Sequence, residues 1–471
     1  MRRLGVSFLQ LAASSIGSQA IGFAVLAFVA RRIGPSNLGT YGFAINTVAY
    51  FALPLAGVAI LAIRDIAQRP AAAARITGVV LPLYVAYAVL AYVAIYFLAP
   101  VIAPTHSAIT MLRIVGLSTT VTLVTYDWLL VGIKAFRALA AATLLGQVCY
   151  AIAVVLFMTS GLNGAYRYAA LNVLGLIITM LAIGVVGVRR AGWPKVSWSI
   201  RATSRLLTRS RHFVLSTVMI KIYFSADFVL LGFLSTPAKL GQYVVAYKLP
   251  QAILGLSSLW VSVMYPHAAT QERNELRRQV GVFTTFSASL AIPLCVGVFI
   301  LARPLMTTLF GAEYAPAATA FRLLTVAAAI GTVDSNIGQV LMAVGHERTF
   351  SMGVTIGAAV NLILNLAFIP WLGPVGAALA TIAAEAGVLW FMVRHLARVI
   401  GRPKLDAPRL GAAVVSSGVM AGALLVAAAL PVFIRVALGG LVFLAAAAVT
   451  GVIKRSDLVR LRTRPAVDSR A

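Results

Sequence analysis

Acidic residues are scarce in this chain of 471. Twelve Asp and Glu stand against 39 Lys and Arg, and charged residues of every kind make up only 11%. A soluble globular domain carries about 25%. Too little polar surface remains to cover a body of this size in water, which excludes a soluble enzyme and a disordered scaffold alike. Cysteine is nearly absent: Cys149 and Cys295 fall inside apolar runs, outside any metal-ligand or CxxC spacing. No disulfide framework, zinc site or other metal is expected. Long polar stretches are missing as well. The chain also has no Gly-rich loop ending in Lys-Ser/Thr to cradle phosphate, so it has no place for a nucleotide-binding domain. Neither ATP hydrolysis nor a cofactor is expected.

What the chain has instead is apolar sequence. Hydrophobic residues make up 61%, and the mean hydropathy is +0.95. About 20 apolar residues cross a bilayer. Runs of that length read as spans at roughly 8–30, 38–62, 76–99, 108–132, 137–160 and 165–188. A second set follows at roughly 212–234, 241–265, 281–301, 317–344, 349–369, 375–397, 410–430 and 435–453. The fold expected is an all-α polytopic membrane protein of fourteen transmembrane helices. The first run is too long for a signal-peptide core and lacks a small-x-small cleavage site, so it is read as retained. An even number of spans puts both termini on one side. On this map 29 Lys and Arg lie on the side of the termini, and six (Arg31, Arg32, Arg167, Lys239, Arg303, Arg435) lie opposite. Basic residues concentrate in cytoplasmic loops. Both termini are therefore expected in the cytoplasm, in a multi-pass protein of the inner (cytoplasmic) membrane. The net charge of +27 would point to nucleic acid in a soluble chain; here it reports orientation.

The chain also echoes itself. Leu38-Gly39-Thr40-Tyr41 with Ala44 recurs 202 residues on as Leu240-Gly241-Gln242-Tyr243 with Ala246. Leu112-Arg113 parallels Phe321-Arg322, and Gly164-Ala165 parallels Gly373-Pro374, both 209 residues on. Six spans are an even number, so the copies share one orientation and should be related by an axis along the membrane normal, around a central cavity. The organisation expected is an N-terminal six-helix bundle over 1–188 and a basic cytoplasmic linker over 189–211, with Trp193 and Trp198 among the headgroups. A C-terminal six-helix bundle over 212–400 follows, then extra helices thirteen and fourteen over 401–454 and a basic tail over 455–471. Gly418-x-x-x-Gly422 in span thirteen reads as tight helix packing, within the protein or between protomers.

Ala30-Arg31-Arg32-Ile33-Gly34-Pro35 leads into Leu38-Gly39-x-Tyr41-Gly42, and Ile63-Arg64-Asp65-Ile66-Ala67 comes next. The second half holds Asp227 with Gly232, Gly241-x-Tyr243-x-x-Ala246-Tyr247 and Leu309-Phe310-Gly311-x-Glu313-Tyr314. Its clearest run is Asn361-x-x-x-Asn365 leading to Ile369-Pro370. In order and spacing these stretches resemble the polysaccharide-transport flippases, the O-antigen and exopolysaccharide exporters of the multidrug/oligosaccharidyl-lipid/polysaccharide superfamily. The resemblance implies a non-enzymatic transporter that moves polyisoprenyl-diphosphate-linked oligosaccharide from the inner to the outer leaflet for polysaccharide export. Two facing bundles fit alternating access. A peptidoglycan lipid-precursor flippase or a drug/cation antiporter of the same superfamily is the alternative. A membrane glycan polymerase is a distant one, because the outer loops are short and hold a single acid, Glu313. The partners implied are the lipid-linked glycan, membrane lipids and a coupling cation (H+ or Na+), with no nucleic acid. The protein is expected to act as a monomer, alone or with polysaccharide-assembly partners.

Charges inside spans are costly and mark function by default. The basic ones are Arg113, Lys221, Lys248 and Arg322; the acidic ones are Asp127, Asp227, Asp334 and Glu385. Lys221 lies about nine residues into span seven, roughly 14 Å deep, too deep to snorkel. It reads as a ligand for the diphosphate, or as a lysine locked to an acid such as Asp334 or Glu385. Asp227 is six residues on, about 120° around the helix, so each of the two should pair with another helix. Lys248 is a second diphosphate candidate, beside Pro250, which can break the helix and free carbonyls. Arg113 and Arg322 at the outer mouth, Arg31 at the outer gate and Arg64, with Asp65, at the inner gate complete the basic set. Snorkelling, helix-end and local ion-pair roles stand beside each of these. Asp227, Asp334 and Glu385 are the coupling-ion candidates, because burial disfavours an ionised carboxylate; counter-ion duty for the lysines is the other reading. Tyr243 and Tyr247 could stack on sugars or belong to an interface belt.

Overall fold

Gly34 sets the first turn of the structure. The computed structural model describes residues 2–251 and 272–452. Helix α1 (Arg2–Val48) runs through the first expected span and then folds at Gly34, where φ is +75°, a conformation that costs glycine no steric clash. Pro35 opens the second arm, where its missing N–H removes no intrahelical bond. A 3-10 turn (Ala49–Leu55, containing Pro54) interrupts that arm, and α2 (Ala56–Gln68) resumes it. Then come α3 (Ala73–Ile102), α4 (His106–Val124), the short α5 (Asp127–Gly132), α6 (Phe136–Phe157) and α7 (Gly161–Ala191). The second half begins with α8 (Ile200–Leu234) and α9, helical over residues 237–251. It continues with α10 (Arg273–Phe310), α11 (Ala317–Ala343), α12 (Glu347–Leu372), α13 (Pro374–Val399), α14 (Ala407–Val426) and α15 (Val432–Thr450).

Among the described residues there is no strand, and twelve helical segments are long and apolar enough to cross a bilayer. The first is a 52-residue stretch, Gly17–Gln68, which takes in two of the expected spans. The eighth expected span, 241–265, lies partly outside the described residues. The chain is an all-α polytopic membrane protein.

Two spans that the sequence reads as continuous are broken. One is 38–62, at the 3-10 turn; the other is 108–132, at Thr125 and Tyr126 ahead of α5. Backbone groups freed inside hydrocarbon must find partners in the protein or face a hydrated cavity. At the first break they find them. The Tyr84 hydroxyl of α3 donates to the Leu55 carbonyl and Tyr87 to that of Phe51, both at 2.8 Å. Thr119 of α4 donates to the Val48 carbonyl at 3.3 Å. A buried cluster including Leu55, Val58, Ile66, Tyr84 and Trp128 packs around the turn. Pro250, the expected break, falls at the end of the described part of α9, which is helical to residue 251, and the chain beyond lies outside the described residues.

The described residues divide into two units. The first runs up to Lys248 and adds Leu309–Tyr314 and Val354–Ala380. In it α1 packs on α4, α6 and α7, α3 packs on α4, and α8 lies against α1 and α2. The second takes Leu249–Thr308, Ala315–Gly353 and the residues from Thr381 onward. In it α10 packs on α14 and α15 through Leu301, Met420, Leu424 and Phe443.

The duplicated motif meets its own copy. Inside the first unit, a Cβ at Gly39 would lie 1.8 Å from the Pro237 carbonyl oxygen, and one at Gly241 would lie 1.9 Å from that of Pro35. Each glycine admits the backbone four residues before the other, a reciprocal contact with local two-fold character. A linker carbonyl lies against a helix glycine in each unit. In the first unit the Lys195 carbonyl lies against Gly78 of α3, and Lys195 N–H donates to the Ala74 carbonyl at 3.0 Å. In the second the Lys404 carbonyl lies against Gly281 of α10, and Asp406 N–H donates to the Thr285 hydroxyl at 3.1 Å. The expected tight packing at Gly418 and Gly422 is not found within the protein: a Cβ at either meets nothing within 4 Å among the described residues.

These contacts fix the sign of a glycine scan. Alanine raises intrinsic helix stability by up to about 1 kcal/mol over glycine, whereas forcing a methyl into a filled site costs about 1–3 kcal/mol. Gly39→Ala and Gly241→Ala should therefore lower the thermal unfolding midpoint in detergent, while Gly418→Ala and Gly422→Ala should leave it unchanged or raise it.

Candidate functional site

In the first unit α8 carries two charged residues within its span, Lys221 and Asp227. Asp227 is 3% exposed. One carboxylate oxygen accepts the Tyr243 hydroxyl of α9 in a short hydrogen bond, and the other accepts Phe228 N–H at 2.9 Å. As the helical phase required, Asp227 finds its side-chain donor on another helix. Lys221 is half-buried, with its ammonium 5.8 Å from the centre of the Tyr50 ring, on the 3-10 turn that breaks the second span. The Tyr50 hydroxyl donates to the Lys221 carbonyl at 3.5 Å. Lys221 and Asp227 are near enough to interact through space, yet among the described residues they form no ion pair. A lysine ammonium beside an unwound turn, with a hydrogen-bonded acid six residues on, is a cation with unspent capacity. Tyr50 was missed in the sequence; the signal was Pro54, four residues later. Tyr243 and Tyr247 are not placed to stack on sugars or to form an interface belt. They are 0% and 9% exposed, and each ring packs on Phe228 at 5.2 Å.

The second unit holds a different cluster. Asp334 of α11 and Glu385 of α13 are both buried, with their carboxyl groups close enough to interact. Two carboxyl groups placed this close repel each other when both are ionised. Nearby in sequence, Asn336 donates to the Ser287 hydroxyl at 3.1 Å, also in a buried setting.

The remaining candidates have local partners. Arg31 donates from Nε to the Leu309 carbonyl at 2.9 Å, and Tyr314 donates to the Ala30 carbonyl at 3.3 Å. Together with Arg32 and Glu313 they line a cavity of about 550 Å³ around the Gly34 turn. Burial, and then the nearby Glu313 charge, push the Tyr314 hydroxyl above its ordinary range. Arg113 stacks on the Tyr96 ring of α3 at 4.1 Å, leaving its Nε unpartnered. Arg322 donates to the Phe299 carbonyl of α10 at 2.9 Å. Each of these two arginines thus leans on the preceding helix of its own repeat. Arg64 is exposed, and the acid beside it, Asp65, pairs with Arg209 of α8 at 3.5 Å rather than with Arg64. Lys248 is exposed on α9. Asp127 is exposed as the first residue of α5 and accepts Trp128 N–H at 2.9 Å, a carboxylate at a helix N-terminus. No group of three or more His, Cys, Asp or Glu arranged for a metal occurs among the described residues.

Charges held inside long apolar helices, with an unwound turn beside a lysine, define a multi-pass helical membrane protein with a polar interior. The chain belongs to the polysaccharide biosynthesis protein family, whose profile matches residues 5–272. A protein of Haloferax volcanii named as a probable low-salt glycan biosynthesis flippase is 26% identical over 54% of this chain and 56% of its own length. A second Haloferax protein, named as a probable flippase, is 27% identical over 52% and 53%. The chain thus spans about half the length of these two relatives. An Escherichia coli K12 protein carrying the name of an O-antigen transporter is 22% identical over 78% of this chain and 90% of that one. The fold is similar to that of the lipid II flippase MurJ in its inward closed conformation, with a TM-score of 0.77 at 15% identity, over 96% of this chain and 100% of that one. It is also similar to an inward-facing MATE family transporter of the MOP superfamily, with a TM-score of 0.63 at 15% identity, over 81% and 96%.

Removing the donor to a buried carboxylate leaves it unsatisfied at a cost of about 1–3 kcal/mol. Tyr243→Phe should lower the thermal midpoint accordingly. Tyr50→Phe loses only a long 3.5 Å bond to a carbonyl and should unfold close to the parent protein.

Proposed function

We propose that the protein is a flippase, not an enzyme, and that it carries polyisoprenyl-diphosphate-linked oligosaccharide from the inner to the outer leaflet for polysaccharide export. Its two six-helix bundles, 1–188 and 212–400, rock about a central cavity, with both termini cytoplasmic in the inner membrane. The observation that carries this reading is Lys221, a mid-span ammonium beside a broken helix with no ion-pair partner among the described residues. A diphosphate supplies the charge that such a lysine lacks, and Lys248 extends the basic surface on the neighbouring helix. Membership of a polysaccharide biosynthesis family supports the substrate class. The MurJ-like fold gives the alternative of a peptidoglycan lipid precursor its standing.

An anionic substrate moving outwards from an inside-negative compartment gains about 2.3 kcal/mol per charge per 100 mV. The Asp334–Glu385 pair adds a proton site, and Asp227 a second acid, through which H+ or Na+ antiport can be coupled. The protein works as a monomer.

Lys221→Ala should reduce outward movement of a lipid-linked oligosaccharide in reconstituted vesicles by about tenfold or more, the worth of one charge-assisted bond. Unchanged transport by folded variant protein removes the diphosphate site. Glu385→Gln keeps the shape of the side chain but cannot exchange a proton, so it should abolish any stimulation of transport by an imposed pH gradient while the potential-driven rate persists. A parent protein that ignores both pH and Na+ gradients sinks the antiport reading.

A further inference from the structure

A cleft in the second unit belongs to neither cluster described above. It has a volume of about 980 Å³ and lies between α11, α13 and the segment joining α13 to α14. Its walls are sorted by chemistry along the length of α13. Ala386, Trp390, Arg394 and Arg398 stand four residues apart, which places them on one helix face. Ile330 and Ile337 of α11 line the wall opposite the apolar part of that face. Arg394 stacks on the exposed Trp390 ring at 5.6 Å, and Arg402 joins Arg398 at the end of the helix. Among the described residues no acid lines the cleft. The nearest acids are engaged elsewhere: Asp334 with Glu385, Glu275 with Arg278 at 2.6 Å, and Asp406 with the first turn of α14 through Arg409 N–H.

We propose that this cleft binds one anionic phospholipid, its phosphate among Arg394, Arg398 and Arg402 and one acyl chain along the apolar wall past Trp390. Length argues for a lipid over a soluble anion. From Ala386 to Arg398 is twelve residues, about 18 Å of helix, close to the depth of one leaflet of a core about 30 Å thick. Cations gathered at one end of a leaflet-deep apolar slot match a lipid standing upright, and a free phosphate has no use for the slot. The arginines lie at the end of α13 that the distribution of basic residues assigns to the cytoplasm, where anionic lipid is concentrated. The site is a resident-lipid site and does not rest on the flippase reading, because it shares no residue with the Lys221 cluster.

The test uses the full chain purified in detergent and native mass spectrometry of retained lipid. Phosphatidylglycerol should be retained over phosphatidylcholine by about tenfold or more, as three arginines near a headgroup require. Arg394→Ala with Arg398→Ala and Arg402→Ala should remove that preference. Val393→Trp, which fills the cleft from an exposed position without changing charge, should remove it too. Lys221→Ala should leave it intact. Equal retention of the two lipids, or phosphatidylglycerol held undiminished by both cleft variants, overturns the proposal. So does displacement by inorganic phosphate, which would make the cleft a simple anion site. Displacement by a polyisoprenyl phosphate at equal concentration would hand the cleft to the carrier lipid and overturn it as well.

Discussion

The contact between Gly39 and Gly241 is the constraint on which the first unit turns. Two helical arms can bring their backbones this close only where neither carries a side chain. Lipid tails are as apolar as leucine, so no hydrophobic drive brings helices together; contact has to be won by packing. With the arms held at the glycines, the residues after them are committed. Tyr41 goes against Tyr168, with ring centres 4.7 Å apart, and Tyr243 goes to Asp227. The position of Asp227 then sets the field in which Lys221 sits.

A second constraint follows from the same absence of water. An unwound turn inside a bilayer exposes carbonyls that nothing in the lipid can satisfy. Here Tyr84, Tyr87 and Thr119 satisfy them from two neighbouring helices. Those three side chains are what allow Ala49–Leu55 to be non-α at the depth of Lys221. The turn and the lysine belong together physically. A continuous helix would bury all its backbone polarity, and the ammonium would face only apolar side chains.

The candidate charges were legible one by one and illegible as pairs. Lys221, Asp227, Asp334 and Glu385 stand out in any apolar run, because ionisable residues inside spans are rare. Their partners do not stand out. Asp334 and Glu385 are fifty-one residues apart in sequence, and only the packing of α11 with α13 makes them neighbours. Tyr41 and Tyr243 occupy the same place in the repeated motif, yet one meets a tyrosine and the other an aspartate. Repeat position predicts where a side chain stands, whereas its partner depends on what the other helices bring.

Composition and spacing alone determined that this is a helical membrane protein and where most of its spans fall. Those properties follow from hydrophobicity and length, which are carried by each segment without reference to the others. The reciprocal glycine contact was half visible, in the paired Gly-x-Tyr motifs with a proline four residues before each. That the copies pack on each other was not visible. The broken second span, the lack of an ion pair at Lys221 among the described residues and the arginine-mouthed cleft were decided by tertiary structure. Each depends on distances of a few ångströms between residues far apart in the chain, and only close packing sets such distances.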